Sequence, residues 1–207
     1  MAKVEENFME KKRIIIGATG ASGMPLLKRC LEIIKADGNF ESYLILSKSA
    51  EITIEHEMKI KIDEIKKLAD YVLSQENIGA GPASGSFKNE GMLIVPCSMK
   101  TAAGINSGYT DNLILRSADV AIKEQRKLVL AVRESPLSQI HLRNLYELSK
   151  IPNVRIIPPM LTFYHMPESI DDMVNHIAAK LLEPFGIEME GFLPLKRVLH
   201  LVLCKSA

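Results

Sequence analysis

The feature that most constrains this chain is a set of short apolar runs, each ending in small or polar residues. Arg13-Ile14-Ile15-Ile16, Ser42–Ser47 (SYLILS), Met92–Val95 (MLIV), Leu128–Val132 (LVLAV) and Val154–Ile157 are such runs. A run that is apolar at successive positions, rather than at every second one, suits a strand covered on both faces, as in a parallel sheet. Helical spacing fills the intervals. Leu27, Leu31 and Ile34 recur beside Leu26, Cys30 and Ile33, and Asp37-Gly38-Asn39 ends that stretch. Further helices are predicted over 51–58, 99–107, 111–125, 138–150 and 168–183. The last carries Ile170, Met173, Val174, Ile177, Ala178, Leu181 and Leu182 in one stripe. Residues 59–90 are less regular, and Pro82-Ala83-Ser84-Gly85-Ser86 reads as loop. This alternation predicts an α/β fold: a doubly wound, mostly parallel sheet of Rossmann or flavodoxin type in a three-layer sandwich. Ligands of such sheets bind beyond the carboxyl ends of the strands, so the strand-end residues are the functional candidates.

Bulk properties narrow the classes. With 207 residues, 47% apolar and 25% charged, the chain suits one globular α/β domain, expected over 13–187. Residues 1–12 are expected to be a polar arm, charged and without an apolar signal core. The tail 188–207 has an apolar face (Leu195, Val198, Leu199, Val202) that suits a short helix packed on a neighbouring subunit. A net charge of +1 offers no broad field for nucleic acid or a membrane surface, so any anion site must be local. Trp is absent and aromatics are few, which argues against a base-stacking surface. No apolar run approaches the roughly 20 residues of a membrane helix. Cys30, Cys97 and Cys204 form neither a C-x-x-C pair nor an even disulfide set, which fits a reducing, cytoplasmic setting.

Three strand ends carry chemistry. After the first run comes Gly17-Ala18-Thr19-Gly20-Ala21-Ser22-Gly23. Glycines permit a tight turn and close backbone approach, and the following helix N-terminus favours an anion. The spacing is G-x-x-G-x-x-G rather than the dinucleotide pattern, and the second strand ends in Leu46-Ser47-Lys48 without a ribose-binding acid. Alone, the motif fits a ligand-binding turn and a plain strand–helix turn equally. Pro96-Cys97-Ser98-Met99-Lys100-Thr101 places two hydroxyls and a lysine at another strand–helix junction, suited to a phosphate or to helix capping by Ser98. Cys97 reads as packing rather than as a nucleophile. Arg133-Glu134 follows the fourth run, where a charged pair is a rim salt bridge or a working pair. Arg116 and Lys123 are seven apart on one predicted helix face and could join Arg133 in a local cationic pocket, although Lys123 alone reads as solvated. Tyr164 and Lys180 are further candidates, the first for a phosphate oxygen or a core cap, the second by default a solvated lysine.

Taken together, GATGASG (17–23), ILSKSAE (45–51), PASGS (82–86), residues 95–145 and PPMLTFYHMPESIDD (158–172) resemble the UbiX family of flavin prenyltransferases, in order and spacing. The resemblance runs from about Arg13 to Ile187. It implies that reduced FMN is a substrate, and that a dimethylallyl group from dimethylallyl monophosphate or diphosphate joins its N5 and C6 without a metal. By position it implies FMN contacts at Gly20, Ala21, Ser22, Ser47, Ser98, Met99, Lys100, Thr101 and Arg133. It implies prenyl-phosphate contacts at Tyr164, Lys180, Arg116 and Lys123, and catalytic roles for Glu134, Glu57 and Ser22. Many members have arginine where this chain has Lys180, which keeps the charge without the planar bidentate fork. The resemblance also implies delivery of prenylated FMN to a UbiD-type decarboxylase, and a homo-oligomer, trimer-based up to a dodecamer, with active sites at subunit interfaces. Two other readings exist. An FMN-dependent decarboxylase of the phosphopantothenoylcysteine type would carry an Asn-containing segment where this chain has Pro159-Met160-Leu161-Thr162, and a non-catalytic flavin carrier would need no second anion site.

Overall fold

The computed structural model describes residues 11–189. Six parallel strands form one sheet in the order β3-β2-β1-β4-β5-β6. They are β1 (Lys12–Ala18), β2 (Phe40–Leu46), β3 (Tyr71–Ser74), β4 (Gly91–Cys97), β5 (Lys127–Val132) and β6 (Val154–Ile156). The continuous apolar runs have a direct cause. In β1, Ile14 and Ile16 join the core cluster on one face, while Ile15 joins the cluster on the other. Leu93 and Met92 split in the same way in β4, as do Val129 and Leu128 in β5. Each such side chain contributes about 1.5–3 kcal/mol on full burial. Helices α1 (Met24–Asp37), α2 (Lys48–Met58), α3 (Ile62–Lys66) and α7 (Ile170–Leu182) supply residues to the first core. Helices α4 (Met99–Asn106), α5 (Leu113–Lys123) and α6 (Gln139–Ser149) supply the second. The expected three-layer α/β architecture is therefore present, with the Rossmann strand order.

Boundaries differ from the sequence reading where side-chain caps or pairing extend an element. β1 continues through Gly17 and Ala18, which pair with Ile45 and Leu46 of β2. Helix α2 starts at Lys48 because the Ser47 hydroxyl accepts from Ala50 N at 3.1 Å. Residues 59–90, expected to be irregular, contain α3 and the edge strand β3. β3 escapes a hydrophobicity reading because it is an exposed edge, with Tyr71 and Val72 open to solvent. Hydrogen bonds hold its lead-in instead. Asp70 Oδ2 accepts from Ser42 N at 2.8 Å and from Ser42 Oγ at 2.9 Å, and Asp70 N donates to Ser42 Oγ at 3.0 Å. The expected arm over 1–12 and tail over 188–207 lie outside the described residues apart from Lys11, Lys12, Glu188 and Met189. No helix among the described residues is long and apolar enough to cross a membrane.

Because Ser42 is buried, removing its acceptor leaves a polar group stranded. Asp70→Ala should lower the unfolding free energy by about 1–3 kcal/mol in chemical denaturation and speed amide exchange in β3 first. Unchanged β3 exchange would show that its ladder alone holds the edge.

Candidate active site

β1 and β4 are neighbours, but the chain leaves β1 towards β2 and leaves β4 towards β5. Their carboxyl-end loops therefore diverge and open a crevice at this switch point. Thr19 fastens its base. Thr19 N and Thr19 Oγ1 both donate to the Pro96 carbonyl at 3.1 Å, and Thr19 Oγ1 accepts from Ser98 N at 2.8 Å. A cavity of about 690 Å³ opens above, walled by Thr19, Gly20, Ser47, Ser98, Lys100 and Thr101, with Asn106 and Arg143 on its further side. That volume lies in the usual range of small-ligand sites, roughly 300–1,000 Å³.

The serines in this wall have structural work as well. Ser98 caps α4, its Oγ accepting from Thr101 N at 3.4 Å and lying 3.1 Å from Thr101 Oγ1. Ser47 caps α2 in the same way. Capping and ligand contact are thus compatible at both positions. Gly20 is required by packing, since a Cβ there would lie 2.4 Å from Ser49 Cβ. Gly23 holds φ +125° at the N-cap of α1, where a side chain would be strained.

The N-terminus of α1 does not await a ligand anion. Glu57, reaching over from α2, accepts from Gly23 N at 3.1 Å and Met24 N at 2.9 Å through Oε2. Burial pushes this carboxyl up, but hydrogen bonds from the Ser22 hydroxyl and the Met24 and Gly23 amides, with the nearby Arg133 charge, more than offset it. Glu57 is held below the ordinary glutamate range and is anionic at neutral pH. The anion anticipated at this turn is therefore the chain's own. Ser22, Glu57 and Arg133, far apart in sequence, are brought together here.

The other candidates divide. Ala21 is buried behind the turn, its N–H donating to Thr19 O at 2.7 Å. Met99 is buried in the second core, so its backbone rather than its side chain is available to the crevice. Arg133 and Glu134 are exposed at the end of β5; Arg133 N donates to Cys97 O at 3.1 Å and Glu134 Oε1 accepts from Ser135 N at 3.1 Å. Cys97 is packing, as burial pushes its thiol up to about 12. Tyr164 and Lys180 both neighbour His176: the Tyr164 ring centroid is 6.1 Å from that of His176, and Lys180, one turn further along α7, acts on its charge. Lys180 also pairs with Glu183.

Arg116 and Lys123 do not join this cavity. Arg116 binds Asp119 at 2.7 Å and the Ala83 carbonyl at 3.2 Å, and Lys123 binds Glu124 at 2.7 Å beside Gly85. The cationic pocket of Arg116, Lys123 and Arg133 expected from helix spacing is not assembled within the described residues. Thr19, Arg143 and His176 were missed by the sequence reading. Only Thr19 left a trace, a polar residue directly after a buried strand.

The wall suits a phosphate-bearing ligand such as FMN. It offers the hydroxyls of Ser47, Ser98 and Thr101, two helix N-termini, and the cations Lys100 and Arg143, neither in an ion pair among the described residues. Those residues also contain no group of three or more His, Cys, Asp or Glu able to hold a metal.

Comparison with known proteins agrees with this geometry. The flavoprotein family profile matches residues 2–182. Flavin prenyltransferase LpdB of Lactiplantibacillus plantarum is 49% identical over 179 residues, covering 86% of this chain and 95% of the relative. The crystal structure of AnUbiX (PadA1) in complex with FMN and dimethylallyl pyrophosphate matches with a TM-score of 0.86 at 41% identity, covering 89% of this chain and 97% of that one. A dodecameric FMN-dependent UbiX-like decarboxylase from Escherichia coli O157:H7 also matches at 0.86, with 44% identity, covering 88% and 98%.

Two outcomes follow from the site's hydrogen bonds. Thr19→Val keeps the shape but leaves Ser98 N without its acceptor, and should cost about 1–3 kcal/mol of stability in denaturant titration. Because the Glu57 carboxyl is lowered in the folded state, its contribution is fully present above the unfolded value of about 4.3 and is lost as pH falls through the lower folded value. The stability gap between wild type and Glu57→Gln should hold steady from neutral pH to about pH 5 and narrow below that. A gap that widens on acidification would contradict the capping role.

Proposed function

The chain belongs to the flavoproteins, among the UbiX-like flavin prenyltransferases, and from that premise we propose that its β1–β4 crevice joins a dimethylallyl group to reduced FMN. The observation that carries the reading is one cavity lined by Gly20, Ser47, Ser98, Lys100 and Thr101, beside the Ser22–Glu57–Arg133 cluster. Reduced FMN supplies the nucleophilic N5 and C6 positions that receive the five-carbon group.

The residues divide the remaining work. Ser47, Ser98, Thr101 and the α4 N-terminus, with Lys100, hold the flavin's phosphate end by donated hydrogen bonds. Gly20, Ala21, Ser22 and Arg133 line the flavin's reactive side, and Met99 contributes backbone. Tyr164 and Lys180 bind the prenyl phosphate and stabilise its charge as it leaves, so no metal is needed. The second bond forms at an aromatic carbon, which must lose a proton to a base. Glu57 is tied down by three donors and held a weak base. Glu134 is exposed and has one backbone donor on one oxygen among the described residues, which supports it as the base.

Arg116 and Lys123 enter this reading across a subunit boundary, as cations completing the donor site of an adjoining copy. Their outward placement and the dodecameric Escherichia coli structure support a homo-oligomer of this kind. In the same proposal, residues 13–187 form one flavin-binding unit in the cytoplasm, a setting consistent with the free, buried thiols of Cys30 and Cys97. The prenylated FMN passes to a UbiD-type decarboxylase.

Purified protein, anaerobically reduced FMN and dimethylallyl monophosphate should yield a flavin heavier by one C5H8 unit in mass spectrometry. The diphosphate, run in parallel, reports the donor preference set by Lys180. Glu134→Gln should slow turnover by about 10²–10⁴-fold while FMN affinity is retained. FMN that binds but gains no mass with either donor would refute the transferase reading.

A further inference from the structure

Tyr164 poses a problem for a phosphate ligand. Its ring is half exposed, and its hydroxyl has no hydrogen-bond partner among the described residues. Ring packing is what aims it. His165 follows it on the loop before α7, and His176 faces it from α7. The two imidazoles stack, with centroids 4.3 Å apart and planes at 11°. Tyr164 meets both edge-on, at 5.9 Å and 77° to His165 and at 6.1 Å and 83° to His176. These are favoured aromatic geometries. His165 is itself constrained, its Nδ1 lying 3.4 Å from Thr162 Oγ1 and its Nε2 buried with no hydrogen-bond partner among the described residues.

We propose that His176 is a positioning residue of the donor site, carrying the Tyr164 phenol on a His165–His176 stack so that its hydroxyl meets the departing phosphate beside Lys180. The inference rests on the reading of Tyr164 as a donor-phosphate residue. It is also sensitive to acid. Charged groups that act on the stack include Asp172 beside His165 and Lys180 beside His176, the latter paired with Glu183. Burial, His165 and Lys180 all disfavour a proton on His176 and lower its value, so the ring in the stack is neutral at pH 7. Acidification places a cation against His165 and Lys180 and loosens the stack.

The test compares wild type, His176→Ala and His176→Phe. Two readouts are used: the Tyr164 ring-proton resonances of the free protein between pH 8 and 5, assigned with Tyr164→Phe, and kcat and KM for dimethylallyl monophosphate. His176→Ala should raise KM roughly two- to tenfold, the range of one aromatic pair, with FMN affinity unchanged. His176→Phe, which keeps the edge-on contact, should recover most of that at pH 7.5. Wild type should lose donor affinity relative to His176→Phe as pH falls below the ordinary histidine range, a comparison in which the phosphate's own ionisation cancels. Tyr164 resonances should move with pH in wild type by clearly more than in His176→Phe, where His165 is the one imidazole left against the ring. An unchanged KM in His176→Ala, equal impairment of Ala and Phe, or pH-insensitive Tyr164 resonances would each overturn the proposal. If wild type forms no product, the transferase reading fails, while the resonances still decide whether the stack holds Tyr164.

Discussion

The crevice depends on how Thr19 closes the seam between β1 and β4. The two strands pair from Ile15–Met92 to Gly17–Ile94, and β4 then departs from regular register before Cys97. Beyond that point the ladder cannot hold the strands together. Thr19 does so with its amide and its side chain, both donating to the Pro96 carbonyl, while its hydroxyl accepts from Ser98 N. The loops above can diverge because the strands below cannot. A buried group bonded on both sides is costly to break, since either half left alone keeps its desolvation penalty.

A second constraint is the placement of charge. In a near-neutral chain, the α1 N-terminus would draw any phosphate into the first turn. Glu57 occupies that end, leaving the capped termini of α2 and α4 with Lys100 as the positive wall. In the proposed reading this directs the flavin phosphate to one side of the crevice and the reacting edge to the other. Tyr164 and Lys180, from the β6–α7 connection and α7, lie outside this wall and are the residues proposed for the prenyl phosphate.

Sequence legibility followed burial. The strands of the interior were readable because double-sided covering demands apolar residues at successive positions, and their ends marked the crevice. β3 was not readable, because an edge strand held by Asp70 and Ser42 has no such demand. Glu57 was recognisable only by resemblance, since its partners at 22–24 lie over thirty residues away and meet it only once α2 is packed. That Arg116 and Lys123 lie away from Arg133 within one chain has a related cause. Seven residues along a helix guarantee a shared face, but not which cavity that face meets. Here both are engaged by Asp119, Glu124 and the 81–87 segment.

The capping serines set a further property of the wall. Ser47 Oγ and Ser98 Oγ already receive amide protons from Ala50 and Thr101, so some of their lone pairs are spoken for before a guest arrives. What remains to project outward is mainly hydroxyl hydrogen, joined by ammonium and guanidinium protons from Lys100 and Arg143. Such a surface sorts visitors by the direction of their hydrogen bonds. At this corner it favours a group that only accepts, such as a phosphate, while the oxygens of Asp111 and Asn106 elsewhere in the lining can take hydrogens from the rest of a ligand.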